Sequence, residues 1–389
     1  MCLLRPAPND GVTTISHSYR QPVIIDTDAD VDDLFAISYL MNVRITVQIP
    51  TIEIMAITTV GNAFTSPLYS APVVLTLLSK LNCQYGVPVA HGQNAPSLPL
   101  TGYGVPMSLI TAIDQYFKCL NTSINPGVEA SPFNAVELII YILKRAEHPV
   151  DILVLGTLTN IAEAITRDRT IVSKIGTLYF SSAGDLLRRR IKQHILPNIF
   201  NATNIADVDD VNPNVFLDLL AVQRVFAAGI SRIVMMPSEI QHQVPYNTTQ
   251  LKHFLKQYNI TLTKFVYDFI TSFAKCLYEP EERLYWWDPS TAQLMIQLQH
   301  GEKPSFCTEF DSNQHVKIVS SPFSGSKYFG QEVKDNKNHL TNVTICKKLD
   351  DEVFLRTFLT QIDTKHSCSY KNKYKHRYDI RLQKELLKN

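Results

Sequence analysis

Apolar runs of strand length alternate with helical segments from residue 22 onward, and this alternation limits the fold more than any other feature of the chain. Pro22-Val-Ile-Ile25 is a short apolar run, and Leu34 to Met41 then has a helical mix of apolar positions. Ile52 to Thr59 reads as a second strand and Ser70 to Lys80 as a helix. Phe133, Val136, Ile139, Ile140 and Leu143 recur at helical spacing. Asp151 to Leu155 is another strand of buried type, with a helix opening near Thr159-Asn160. Ile175 to Phe180 and Ile230 to Met236 add strands, with a helix over Val215 to Ala228 between them. Apolar strands alternating with helices predict an α/β fold: a mostly parallel, Rossmann-like open sheet flanked by helices on both faces. Ligands of such sheets bind beyond the carboxyl ends of the strands.

Two stretches break the pattern. Residues 94–131 are rich in Pro, Gly, Ser and Thr and read as a long loop or lid, and residues 181–214 lack a clear period. The chain therefore reads as one domain over residues 20–362. Residues 363–389 follow as a basic extension, with eight Lys or Arg against three acids, and are expected to be solvated.

A formal net charge of +1 gives no electrostatic reason to bind nucleic acid or a membrane surface. No apolar run is long enough to cross a bilayer. Met1 to Asp10 carries Pro6 and Pro8 and lacks the charged-then-apolar build of a secretory signal. The seven cysteines (Cys2, Cys83, Cys119, Cys276, Cys307, Cys346 and Cys368) are scattered without CxxC spacing, which reads as reduced thiols in a cytoplasmic protein. On that reading the Asn-x-Ser/Thr triplets, for example at Asn121 and Asn247, are chance matches.

The chemistry concentrates in Asp26-Thr-Asp28-Ala-Asp30-Val-Asp32-Asp33, where five carboxylates lie within eight residues directly after an apolar strand. So many acids at a strand end repel one another and raise one another's pKa values. A hard divalent cation removes that cost, because such ions take several oxygen ligands. The plainer alternative is an exposed acidic turn, with Asp32 and Asp33 favouring a helix N-terminus.

This segment resembles the opening fingerprint of the inosine-uridine nucleoside hydrolase family. Ile57-Thr-Thr-Val-Gly-Asn62, Leu155-Gly-Thr-Leu-Thr-Asn-Ile161, Asn214-Val-Phe-Leu-Asp218 with Phe226-Ala-Ala-Gly-Ile230, and Trp287-Asp288-Pro289 resemble later family segments in the right order. Val343 to Ile362, a strand, Asp350 and a helix, resembles the family's C-terminal end. The resemblance covers about residues 20–362 and implies a nucleoside-hydrolase-like sheet and hydrolysis of the N-glycosidic bond of a ribonucleoside to free base and ribose.

It also implies roles. A calcium ion is expected on Asp28, Asp33, Asp288 and the backbone carbonyl of Leu155, with Asp28 as general base toward a calcium-held water. Asp32, Asn62, Asn214 and an upstream asparagine are expected on the ribose. That upstream residue is Asn198 or Asn201, with Asn201 preferred for its spacing to Asn212. Asp26 either supports the metal shell from behind or is a structural strand-end carboxylate. Tryptophan at the position of Trp287 matches the purine-preferring branch, where its face stacks on the base; filling of the core by Trp286-Trp287 is the alternative. Tyr103 is a candidate second stacking residue. Family members are often dimers or tetramers, so a homodimer or homotetramer acting on a small nucleoside, in purine salvage, is expected.

The chain departs from the pattern at three places. Asn212 stands where the family has glutamate near the sugar's 5′ end, Ala29-Asp30 replaces Pro-Gly, and the Gly-rich stretch after the central strand is altered to Ser181-Ser-Ala-Gly184. Two rivals follow: a calcium-dependent nucleoside- or ribosyl-binding protein of the same fold with little or no turnover, and a haloacid-dehalogenase-type phosphatase. The second leaves Asp32-Asp33 without a role.

Overall fold

The computed structural model describes residues 20–46, 52–61, 63, 65, 67–92, 112–120, 123–182, 213–272, 275–276, 284–299, 306–318, 332–334 and 341–362. The expected alternation is present. β1 (Gln21–Thr27), α1 (Val31–Thr46), β2 (Ile52–Thr59), α2 (Pro67–Lys80) and β3 (Val89–Ala90) open the chain. α3 (Ala112–Cys119), α4 (Ala135–Arg145), β4 (Val150–Val154), α5 (Thr159–Arg167) and β5 (Ile175–Ser181) follow. Next come α6 (Pro213–Phe216), α7 (Leu219–Phe226), β6 (Arg232–Met236), α8 (Ser238–Gln241), α9 (Thr248–Gln257), α10 (Lys264–Thr271) and α11 (Trp287–Gln299). β7 (Cys307–Ile318), β8 (Glu332–Lys334), β9 (Thr341–Leu349) and α12 (Asp351–Gln361) close it.

All nine strands form one sheet in the order β3-β2-β1-β4-β5-β6-β9-β7-β8. Neighbours from β3 through β9 in that order run parallel, while β7 is antiparallel to β9 and β8 to β7. Side chains alternate between two cores. Val23, Ile25, Leu153, Tyr179 and Val234 face the layer that contains α1, α2 and α11. Ile24, Ile152, Val154, Leu178 and Ile233 face the layer of α4, α5 and α7. Burial on both faces explains why these strands read as continuous apolar runs. An aromatic group built on Trp286 fills the first core, with Tyr246, Phe358 and Phe35 at 4.9, 5.0 and 5.6 Å between ring centroids. Trp286 is core filling.

The sheet reverses direction at β1. The chain runs outward through β2 and β3, then returns to lay β4 on the other side of β1. The crevice beyond the carboxyl ends of β1 and β4 is thus a topological switch point, where open sheets bind ligands.

Four features depart from expectation, the first being helix α3 (Ala112–Cys119), which lies inside the stretch read as a long loop or lid. The single helix expected over Val215 to Ala228 breaks at Asp218, whose extended backbone (φ −149°, ψ 75°) lets its carboxylate cap α7 by accepting the Ala221 N–H at 3.0 Å. The antiparallel edge of β7 and β8 was not anticipated, because Cys307–Ile318 is a polar run without clear alternation. The cysteines correct the reduced-thiol expectation: Cys119 is disulfide-bonded to Cys276 and Cys307 to Cys346, and Cys83 is disulfide-bonded as well. Spacing along the chain carried no sign of this, because folding brings the Cα atoms of the two pairs to 5.9 and 6.1 Å across separations of 157 and 39 residues. The cysteine ground for expecting a cytoplasmic protein is removed with it. Among the described residues no helix is long and apolar enough to cross a membrane.

Candidate active site

β1 ends in the acidic segment, and its backbone is fixed on both sides. Asp26 is in register with Thr58 of β2 and Val154 of β4, and its carbonyl accepts the Leu155 N–H at 2.8 Å. Thr27 offers its carbonyl to Val60 at 2.9 Å. The chain then turns at Ala29, which takes a left-handed conformation (φ 59°) and donates its N–H to Thr27 Oγ1 at 3.0 Å. Asp30 starts α1: its carboxylate accepts the Val31 N–H at 2.7 Å and its carbonyl the Leu34 N–H at 3.1 Å. Asp32 and Asp33 therefore fall in the first turn of α1, where the helix dipole favours negative charge.

Asp288 arrives from the far end of the chain. Tyr246 and Trp286 exchange backbone bonds with Leu284 and Val244 (2.7 and 3.2 Å), and α11 opens directly afterwards with Trp287 and Asp288. α11 packs on α1. As a result, carboxylate oxygens of Asp32, Asp33 and Asp288 all lie within 4.8 Å of one another, and all three residues are buried. Asp33 Oδ1 accepts from Thr27 Oγ1 and from the Asp28 N–H at 3.2 Å. Asp288 Oδ1 is buried and has no hydrogen-bond partner among the described residues.

Burial, and then repulsion from neighbouring carboxylates, push all three well above the usual carboxylate range: Asp30 and Asp28 act on Asp32, Asp288 and Asp32 on Asp33, and Asp32 on Asp288. Asp28 contributes to that repulsion on both Asp32 and Asp288. Burial pushes Asp30 up to about 6. Three buried acceptors, one with an oxygen that has no partner among the described residues, fit a hard divalent ion by donor chemistry. The converging group contains Asp32, which the resemblance gave to the ribose, with Asp28 beside it.

A second layer holds these acids in place. Asp26 is fully buried, and its Oδ1 accepts from Thr58 Oγ1 (2.6 Å) and Asn160 Nδ2 (2.8 Å). Burial raises its pKa to about 7 against the opposing pull of those two bonds. Asn160 also reaches the Thr59 carbonyl at 3.0 Å, so one amide ties the ends of β1 and β2 to the start of α5. Thr159 donates to Asp218 at 2.7 Å, which ties α5 to the cap of α7. Gly156 permits this closeness: a Cβ there would lie 3.0 Å from the Cβ and N of Asp28 and from Val60 Cγ2.

Asn214 is buried at the start of α6 and donates to the carbonyls of Leu155 (2.6 Å) and Ser181 (2.9 Å). The carbonyl expected to face a metal is thus held by the asparagine expected to face the ribose. A carbonyl has two lone pairs and can serve both. Trp287 is 1% exposed, its ring centroid lies 5.6 Å from that of Tyr285, and its Nε1 has no hydrogen-bond partner among the described residues. Its carbonyl accepts from Gln241 (2.9 Å) and Ser290 (2.6 Å). Asn62, Asn201, Asn212 and Tyr103 lie outside the described residues.

A family model described as inosine-uridine preferring nucleoside hydrolase matches residues 23–356. The chain belongs to this family. Among known members of the nucleoside hydrolase family, a probable uridine nucleosidase 1 from Oryza sativa subsp. japonica is 28% identical over 193 residues, 49% of this chain and 55% of the relative. A pyrimidine-specific ribonucleoside hydrolase from Photobacterium profundum is 27% identical over 228 residues, 57% of this chain and 62% of the relative. The chain spans about half to three fifths of the length of these curated relatives. The solved structure of a plant nucleoside hydrolase superposes with a TM-score of 0.63 at 19% identity, covering 89% of this chain and 100% of that one, and so shares the fold.

Within this nucleoside hydrolase framework, inspection of the sequence missed the supporting roles of Thr27, Thr58, Thr159, Asn160 and Asp218. All lie inside or beside the quoted motifs. What sequence does not display is that their side chains turn inward onto the carboxylates.

Proposed function

We propose that the protein hydrolyses the N-glycosidic bond of ribonucleosides, with calcium held by aspartates at the β1–β4 crevice. The buried convergence of Asp32, Asp33 and Asp288 carries this reading, since it brings three carboxylate oxygen donors within 4.8 Å of one another. Asp28, Asp33, Asp288 and the Leu155 carbonyl are the ligands the family resemblance names, and Asp32 stands close enough to join them or to take a ribose hydroxyl. Calcium, when bound, orients a water and lowers its pKa. Asp28 would serve as the general base, its carboxylate accepting the proton of the attacking water. As the bond to the base lengthens, positive charge grows on the ribose, and the surrounding carboxylates stabilise it. Asn62, Asn201, Asn212 and Asn214 would orient the sugar, and Trp287 would stack on the base. Residues 20–362 are proposed as one domain, because the described strands share one sheet.

The base is proposed to be a purine on the strength of Trp287. A pyrimidine is the competing reading, favoured by the names of the curated relatives, one a uridine nucleosidase and one pyrimidine-specific. One experiment separates them: chromatography of free base released from inosine, adenosine, guanosine and uridine, with calcium, with chelator, and with Asp28→Asn protein. Calcium-dependent release that the substitution abolishes is the expected result. No release from any nucleoside by folded, calcium-loaded protein would overturn the hydrolase reading.

A further inference from the structure

Helix α9 is flanked by two Asn-x-Thr triplets, Asn247-Thr-Thr249 and Asn259-Ile-Thr261. Both asparagines and both final threonines are exposed. Asn247 caps α9 through Oδ1, which accepts the N–H groups of Thr249 (2.9 Å) and Gln250 (3.0 Å). The described bonds use only the amide oxygen, so a substituent on Nδ2 leaves the cap intact. Asn259 sits at φ 51° in the turn that closes α9, where the Ile260 N–H returns to the Leu255 carbonyl at 2.9 Å. The buried side of α9 is Leu251, Phe254 and Leu255, so neither triplet belongs to the packed face.

The disulfides supply the second observation. Cys119–Cys276 and Cys307–Cys346 are bonds that persist in oxidising compartments and are rare in a reducing cytosol. That compartment is also where Asn-x-Thr triplets on a surface become acceptors for oligosaccharide. We propose that Asn247 and Asn259 carry N-linked oligosaccharides and that the protein matures in an oxidising secretory compartment. At each asparagine a bond forms between the amide nitrogen and C1 of the first sugar. The C1–oxygen bond to a lipid-linked diphosphate donor breaks, the diphosphate leaves, and the amide gives up one proton. Each cysteine pair passes two electrons and two protons to a disulfide-bearing oxidoreductase.

The test uses the full chain purified from the cells that make it, treated with peptide N-glycosidase in heavy-oxygen water and analysed as unreduced peptides by mass spectrometry. Expected are heavy-oxygen aspartate at positions 247 and 259, and cross-linked peptides for Cys119 with Cys276 and Cys307 with Cys346. Thr249→Ala and Thr261→Ala, made in the full chain in the same cells, keep both asparagines and the α9 cap. Each is expected to remove one step of the mobility shift that the glycosidase abolishes. Unlabelled asparagine at either position overturns the assignment there, and cysteines alkylated without prior reduction overturn the oxidising compartment.

Discussion

Gly156 stands where a side chain would meet the proposed general base. A Cβ placed 3.0 Å from the Cβ and the backbone N of Asp28 can be relieved only by moving the turn that carries Asp28. Gly156→Ala is therefore expected to cut turnover by more than its loss of unfolding free energy accounts for, measured as kcat beside a denaturation midpoint. Asp28→Asn removes the proposed base and is expected to lower kcat by about 100- to 10,000-fold with the fold intact. Asp288→Asn acts in two directions. It relieves repulsion among buried acids, so metal-free protein should melt higher, and it should abolish the rise in melting temperature expected from calcium at the proposed site. Scanning calorimetry with and without chelator reads both effects.

Asp168 gives a contrasting acid on the surface. Its carboxylate accepts from the Thr170 hydroxyl and from Lys144 Nζ at 2.9 Å, and these bonds hold its pKa down to about 2 from 3.8. A folded-state pKa below the unfolded one means that the stabilisation is complete above about 3.8 and is lost as pH falls through about 2. Asp168→Asn should flatten the pH dependence of the urea midpoint across that window.

At the scale of elements, helix ends tie the fold together. Asn134 and Glu137 form a reciprocal box at the start of α4, with bonds of 3.0 and 3.1 Å. Asn134→Ala should cost about 1 kcal/mol in chemical denaturation without affecting calcium binding. Strands β1, β2, β4, β5 and β6 and helices α1, α2, α4 and α5 were legible in the sequence because apolar period and length agree there, whereas the two-residue parallel strand β3 was not. The break at Asp218 was not, since an aspartate within an apolar helical pattern looks the same whether it is exposed or caps a new helix. β7 was hidden by its polarity. The five opening carboxylates pointed to the crevice from sequence alone. The partnership of Asp32 with Asp288 rests on the packing of α11 against α1, which no local pattern encodes.

For the whole molecule, one of the two described disulfides joins parts that the sheet leaves separate, and the other reinforces a pairing the sheet already makes. Cys119–Cys276 links α3 to the residues beyond α10, and Cys307–Cys346 staples β7 to β9 at the antiparallel edge. Replacing Cys119 and Cys276 together by serine should lower stability by about 2–4 kcal/mol, read as a shift in the guanidinium midpoint, since the bond closes a long loop in the unfolded chain.

The central place of β1 also has a bearing on time. β1, the first of the described strands, has its partner β4 far along the chain, and the acids that follow it meet Asp288 only after α11 has docked. During folding, then, the proposed calcium site is not assembled until the molecule is nearly complete, and the ion should not serve as a nucleus. Calcium should leave the refolding rate unchanged and slow unfolding, acting as a latch on finished molecules. The lifetime of the folded state, more than the speed of reaching it, would then follow the calcium concentration around the protein.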